Sequence, residues 1–278
     1  MSHVLDDQKI TEFQTLIMNY YQLSGRHHLP WRLPEPDGSF NPYKIMVSEI
    51  MLQQTQVARV ITKYQQFLSA FPSVEELAVK PLAEVLQVWL GLGYNRRAKY
   101  LHQSAQAITT IHNGVFPQTV EQLVTLPGIG ANTAGAIAAY SFNQPVVFIE
   151  TNIRTVYLHH FFKDQPLISD KEIRPYIQVT LDTTNPRQWY WALMDYGTFL
   201  KSTINNPNRL SKHYSRQSVF KGSKRQVRGE VLRYLARQPG TLKELQTYIA
   251  DERLVAVVAE LESEGLINHI AGHYALGK

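Results

Sequence analysis

No cysteine occurs anywhere in the 278 residues. That excludes disulfides, thiolate zinc sites, cysteine-ligated iron–sulfur clusters and cysteine nucleophiles. Long apolar runs are missing too. None approaches about 18 residues, so no transmembrane helix is expected. The first residues carry Asp6 and Asp7 and no apolar stretch, which is not the build of a signal peptide. A soluble cytoplasmic protein is the expectation. Alternating strand patterns are nearly absent before residue 265. What is present is enough for a real core, with 44% hydrophobic and 11% aromatic residues. The length suits one large or two modest domains.

Acidic residues are absent from one long stretch. Residues 201–228 hold Lys201, Arg209, Lys212, Arg216, Lys221, Lys224, Arg225 and Arg228 and no Asp or Glu. Outside it, 20 basic residues face 23 acidic ones, so this stretch alone makes the chain basic. Such a patch suits a polyanion; a solvated linker that is only incidentally cationic is the alternative.

The periodicity is mostly helical. Ile10, Phe13, Ile17 and Tyr20 recur at helical spacing, as do Met46, Ile50, Val57 and Ile61. Leu77, Leu82, Val85, Leu86 and Trp89 predict two short helices meeting near Pro81. The plan changes near 220–223. A helix is expected from Lys224 to Arg237, a second behind the capping box Thr241/Glu244, and a third from Asp251 to Glu264 that stops at Gly265. Two short strands then flank Ala271–Gly272. Three helices and a hairpin resemble a winged helix. Its third helix carries Asp251, Glu252, Glu260, Glu262 and Glu264 against Arg253 alone, which favours packing or protein contact over reading DNA bases.

The turn Leu126–Pro127–Gly128–Ile129–Gly130 lies between two predicted helices. Its glycines permit a tight turn, and the helix that follows offers free N–H groups and a dipole to an anion such as a phosphate. The next helix is rich in small residues, from Ala131 to Ala139. Pro127 to Ala136 (PGIGANTAGA), followed by Glu150–Thr151–Asn152–Ile153–Arg154, resembles the helix-hairpin-helix DNA glycosylases. Leu29–Arg32, Pro42–Tyr43, Ser48–Val57 (SEIMLQQTQV) and Gly91–Tyr94 are similar to the MutY branch, the adenine glycosylases. The resemblance covers roughly residues 10–200.

The resemblance implies an all-α, two-lobed helix-hairpin-helix glycosylase domain over residues 1–200. A basic DNA-contacting segment follows at 201–222, and a small winged-helix-like domain at 223–278. It also implies a monomer that acts on double-stranded DNA with a mismatch or lesion, in a bacterial or archaeal cytosol or nucleoid. Breaking an N-glycosidic bond requires protonation of the leaving base and stabilisation of an oxocarbenium sugar, work that two carboxylates can share. Glu49 matches the family's acid, and apolar neighbours would raise its pKa. Glu150 stands where the family has aspartate and reaches about 1–1.5 Å further, a step that matters in a tight site. Asn152 matches an orienting asparagine, and Arg154 a contact to the DNA backbone.

Bifunctional relatives carry a lysine nucleophile just after the hairpin, where this chain has Asn132, so no lyase activity is expected. Gln54 and Tyr94 match residues that wedge into the base stack once a nucleotide is flipped. Tyr94 as ordinary core is the alternative. Arg96, Arg97 and Lys99 follow, either as phosphate ligands or as a solvated helix face. Trp31 and Arg32 match residues near the flipped base. Trp191 falls where the family places a polar side chain that reads adenine, and tryptophan lacks the acceptor; Trp189 and Trp191 as core is the alternative. Another mismatched or damaged base therefore stays open, and Glu150 with the winged-helix-like tail leaves open non-catalytic binding of distorted DNA. Most of the family has four cysteines after the position of Leu200. Here Lys201, Arg209, Lys212, His213 and Arg216 occupy that region and are expected to meet DNA without metal. The resemblance allows a monovalent cation at the hairpin and implies no other cofactor.

Overall fold

The computed structural model describes residues 5–163, 165–204, 206–215 and 219–277; Arg216 lies outside them. In chain order the helices are α1 (Asp7–Ser24), α2 (Pro42–Leu52), α3 (Val57–Ala70), α4 (Val74–Val79), α5 (Leu82–Trp89), α6 (Arg96–Thr110) and α7 (Val120–Leu123). There follow α8 (Ala131–Phe142), α9 (Thr151–Phe161), α10 (Asp170–Thr180), α11 (Pro186–Thr203), α12 (Lys224–Leu235), α13 (Leu242–Tyr248) and α14 (Leu254–Ser263). Strands β1 (Ile267–Ile270) and β2 (His273–Leu276) close the order. Among the described residues, no helix is long and apolar enough to cross a membrane. Two compact units interleave along the chain. One comprises residues 1–45, 118–124 and 130–216, the other 46–117, 125–129 and 217–278.

The first unit is built on α1, α8, α9, α10 and α11. Asp6 caps α1 by accepting from the Lys9 amide at 2.8 Å, and the apolar stripe predicted from Ile10 onward turns Phe13, Ile17 and Tyr21 inward. The Phe13 ring meets Tyr157 at 5.5 Å and Trp189 at 5.9 Å, an aromatic centre shared by α1, α9 and α11. Small residues let α8 sink into this unit. Gly135 touches Phe148 so closely that a Cβ there would lie 2.6 Å from the Phe148 Cβ. Helices α9 and α11 come closer still, since a Cβ at Gly197 would fall on the Asn152 carbonyl. Gly197→Ala would gain roughly 1 kcal/mol in helix propensity, yet the backbone collision is larger. A net loss of about 1–3 kcal/mol in urea unfolding is expected.

In the second unit, Phe67 and Trp89 pack edge to face at 6.0 Å, and Met46, Ile50, Met51 and Leu77 of the same unit are fully buried. Helix α4 stops at Val79 and α5 begins behind Pro81, as the sequence predicts. The continuous period through Met46, Ile50, Val57 and Ile61 is in fact two helices. Gln54, with φ +53°, breaks it between α2 and α3.

The C-terminal residues of this unit form three helices and an antiparallel hairpin, with Ile267 opposite Leu276 and Ile270 opposite His273. Ala271 and Gly272 turn it with φ of +50° and +81°, the left-handed pair that such a hairpin needs. The Thr241/Glu244 capping box is present. Helix α14 starts at Leu254 rather than Asp251, because the Asp251 carboxylate accepts from the Arg253 amide at 2.9 Å in a local turn. The acidic face of α14 is answered from α12: Lys224 pairs with Glu260, and Arg228 with Glu260 and Glu264. Two of the basic residues read as a polyanion patch are therefore engaged within these C-terminal helices. Lys99 donates to the Glu264 carbonyl at 2.5 Å and Gln87 to the Ala236 carbonyl at 3.4 Å, tying the ends of α14 and α12 to α6 and α5.

Candidate active site

Glu49 sits half-buried on α2 between the buried side chains of Ser48 and Ile50. One side chain holds the backbone just beyond it. Arg97, 8% exposed, donates to the carbonyls of Ile50 at 2.8 Å, Met51 at 2.9 Å and Gln53 at 2.6 Å, the acceptors that the end of α2 leaves open. It also donates to the Gly93 carbonyl at 3.0 Å and lies over the rings of Trp89 and Tyr94, at 5.3 and 5.5 Å. Burial lowers its pKa to about 10, so it remains charged at neutral pH.

Arg97 is thus a clamp joining two loops, which corrects its reading as a phosphate ligand or solvated side chain. Each loop presents a non-glycine residue in the left-handed region, Gln54 at φ +53° and Tyr94 at φ +48°. Such strain persists only where the surroundings enforce it. Arg97→Ala would strand several buried carbonyls and is expected to cost about 3–5 kcal/mol in urea unfolding, with Arg97→Lys restoring only part.

The sequence signal for this clamp is its register. Arg97 precedes Leu101, Ser104 and Ile108 along the buried stripe of α6. Arg96 is exposed and rests its guanidinium on the Tyr100 hydroxyl at 2.7 Å. Lys99 is the tether to Glu264, not a solvated phosphate ligand.

The glycine turn has the predicted form. Gly128 has φ +75°, and a Cβ there would stand 2.6 Å from the Tyr100 Cβ, so backbone and space both demand glycine. The Ile129 amide closes the turn on the Leu126 carbonyl at 3.1 Å. Gly130 caps α8 without any side-chain hydrogen bond, which leaves no capping side chain between the first α8 amides and an anion. The Pro127 carbonyl accepts from Ser104 at 2.7 Å and the Leu126 carbonyl from Ile129.

In the first unit, Glu150 is the N-cap residue of α9, and its side chain makes no capping bond. Burial pushes its carboxyl above the usual range and outweighs the Thr151 amide and Arg154, which pull the other way. Asn132 accepts from the Ile149 amide at 3.2 Å and so anchors the backbone just before Glu150. Asn152, in the first turn of α9, keeps its Oδ1 buried without a hydrogen-bond partner. Arg154, expected on the DNA backbone, is instead bound to Asp170 at 2.6 Å and joins α9 to the start of α10.

Arg32 also departs from expectation. Its Nη1 and Nη2 grip the buried Asp195 carboxylate at 2.7 and 2.9 Å, with Arg26 on the same carboxylate. Burial works against the Asp195 charge, but the two guanidiniums prevail and hold its pKa below the usual range. Arg32 therefore ties the 3-10 turn Pro30–Arg32 to α11. Trp31 is 5% exposed, and Trp191 is 8% exposed between Phe40 at 5.4 Å and Tyr140 at 5.8 Å. Both indoles are core rather than open wall.

Past α11, Lys201 is half-buried, and burial lowers its pKa; Arg209 and Lys212 are exposed. The segment is moored by polar bonds. Asn208 donates to the buried Thr155 hydroxyl at 2.5 Å, and Ile168 exchanges backbone bonds of 2.9 Å with Leu210 and Lys212.

Residues 47–179 match the family described as HhH-GPD superfamily base excision DNA repair protein. An adenine DNA glycosylase of Buchnera aphidicola is 36% identical over 192 residues, 68% of this chain and 52% of that protein. One of Mycobacterium tuberculosis is 41% identical over 160 residues, 56% of this chain and 51% of that protein. The chain spans about half the length of these curated relatives. Among solved structures, a thermostable thymine-DNA glycosylase aligns with TM-score 0.62 at 20% identity, over 72% of this chain and 91% of that one. Endonuclease III trapped on DNA aligns with TM-score 0.58 at 16% identity, over 75% of this chain and 97% of that one. At those identities the likeness is one of fold.

Proposed function

We propose, from the match of residues 47–179 to the HhH-GPD superfamily of base excision DNA repair proteins, that this chain is a monofunctional DNA glycosylase releasing adenine from mispaired duplex DNA. One observation carries the reading: a single family domain, residues 47–179, encloses Glu49, the glycine turn and Glu150.

Glu49 donates the proton that lets the base leave with the electrons of the glycosidic bond. Glu150, ionised, offsets the positive charge that grows on the sugar, and water adds at the anomeric carbon, losing its proton to the Glu49 carboxylate left by the first transfer. Asn152, in the first turn of α9 after Glu150, offers its Oδ1 as an acceptor. Asn132 holds the Glu150 backbone where a lyase would carry its amine, so the product is an abasic site in an unbroken strand.

Gln54 and Tyr94 enter the stack, their left-handed backbones already shaped by Arg97. The α8 amides, Arg96, Arg209 and Lys212 take phosphates. No iron–sulfur cluster takes part. On the same reading the enzyme is a cytoplasmic monomer, with a glycosylase domain, a basic segment and a winged-helix-like domain.

The test is a panel of end-labelled duplexes carrying A opposite oxidised G, A opposite G, T opposite G, U opposite G, and an alkylated base. Strand breaks that appear only after hot alkali, and fastest for the adenine mispairs, are expected. Release confined to another base would replace the substrate. Tight binding with no release from any duplex would replace catalysis with recognition.

A further inference from the structure

Two guanidiniums lie against Tyr94. Arg97 lies 5.5 Å from the ring centroid, and Arg225 lies 5.4 Å from it and donates to the phenol oxygen at 2.8 Å. Arg97 belongs to α6, close in sequence to Tyr94. Arg225 comes from 131 residues further on, at the start of α12 in the winged-helix-like domain. That domain is not loosely placed against Tyr94. Lys99 holds the end of α14 through the Glu264 carbonyl, and Gln87 holds the end of α12 through the Ala236 carbonyl. Arg225 itself is steadied by the Phe220 ring at 6.0 Å. A distant stretch of the chain thus helps to hold a tyrosine whose own backbone is in the left-handed region.

We propose that Arg225 is a positioning residue for Tyr94, through which the winged-helix-like domain takes part in engaging DNA. The inference rests on the reading that Tyr94 enters the base stack. A ring fixed by two cations and one hydroxyl bond loses little further freedom on insertion, so less binding energy goes into ordering it. The domain then acts through one side chain rather than by reading bases with α14, whose Glu260 and Glu264 are paired with Lys224 and Arg228.

The experiment uses the full chain and a duplex carrying a non-cleavable abasic analogue. 2-Aminopurine next to the analogue reports unstacking by its fluorescence. Arg225→Ala, Tyr94→Phe, the double variant and Tyr94→Ala are compared, with Arg233→Ala as a charge-matched control on α12. Thermal melting confirms that each is folded. Arg225→Ala is expected to weaken the fluorescence response and duplex affinity about 5- to 20-fold, Arg233→Ala to change neither, and Arg225→Ala to cost clearly less once Tyr94→Phe has removed the hydroxyl it binds. Equal losses from Arg225→Ala in both backgrounds, or no loss, would overturn the inference. An unchanged response in Tyr94→Ala would overturn the stacking role of Tyr94 itself. The readout needs no base release, so a wild-type protein that showed the coupling but cleaved nothing would refute the glycosylase reading alone.

Discussion

Glu49→Gln is expected to lower single-turnover base release by about 10²–10⁴-fold, the range for loss of a general acid, while duplex affinity and melting temperature stay close to wild type. The amide keeps the shape and polarity of the side chain but has no proton to give. Glu49 is half-buried on α2, whose last turn is clamped independently by Arg97, so the substitution leaves the surrounding structure its supports. A pre-steady-state time course on an adenine mispair reads the effect. Retention of more than about a tenth of the rate would remove Glu49 from the proton transfer.

Glu150 gives the second large effect, with a pH signature. Burial raises its carboxyl above the ordinary value of 4.5, yet its proposed work needs the ionised form. The rate should therefore fall on acidification at a higher pH than an ordinary carboxylate would impose. Glu150→Gln should remove that limb along with about 10²–10³-fold of activity. Stability should respond with the opposite sign. A carboxyl whose folded pKa exceeds its unfolded one costs stability when ionised, a cost in force above the folded pKa and absent below the unfolded one. Glu150→Gln should accordingly unfold at equal or higher temperature than wild type at pH 8, with the difference vanishing near pH 4. Calorimetry across that window checks it. Glu150→Asp, the family residue, should keep measurable turnover, because it preserves the charge and changes mainly its reach.

The parts legible in the sequence are those that local chemistry decides. The glycine turn, the Thr241/Glu244 box and the Ala271–Gly272 hairpin each depend on a few adjacent residues, and each appears where expected. The break at Gln54 was not legible, because the apolar period of α2 resumes in α3 and hides it. Charged residues were the least readable. Arg97 sits in a run with Arg96 and Lys99 that looks like a solvated face, yet one is a buried clamp, one is exposed and one is a tether.

Arg32, Arg154, Lys224 and Arg228 looked available for a nucleic acid. Their partners, Asp195, Asp170, Glu260 and Glu264, lie 16 to 163 residues away and only the fold brings them close. Charge counted along the chain says how many cations exist; burial and pairing decide which remain for DNA. Trp191 shows the same limit for an aromatic, since its spacing matched a base-reading position while its ring is packed between Phe40 and Tyr140.

Hydrolytic release of adenine is tested most directly by mass spectrometry of one turnover on a duplex pairing adenine with oxidised guanine. Free adenine and an unbroken strand bearing one abasic site should form in equal amounts, with no protein–DNA adduct after borohydride. A strand that retains every base at complete binding, or a borohydride-trapped covalent complex, would contradict the account.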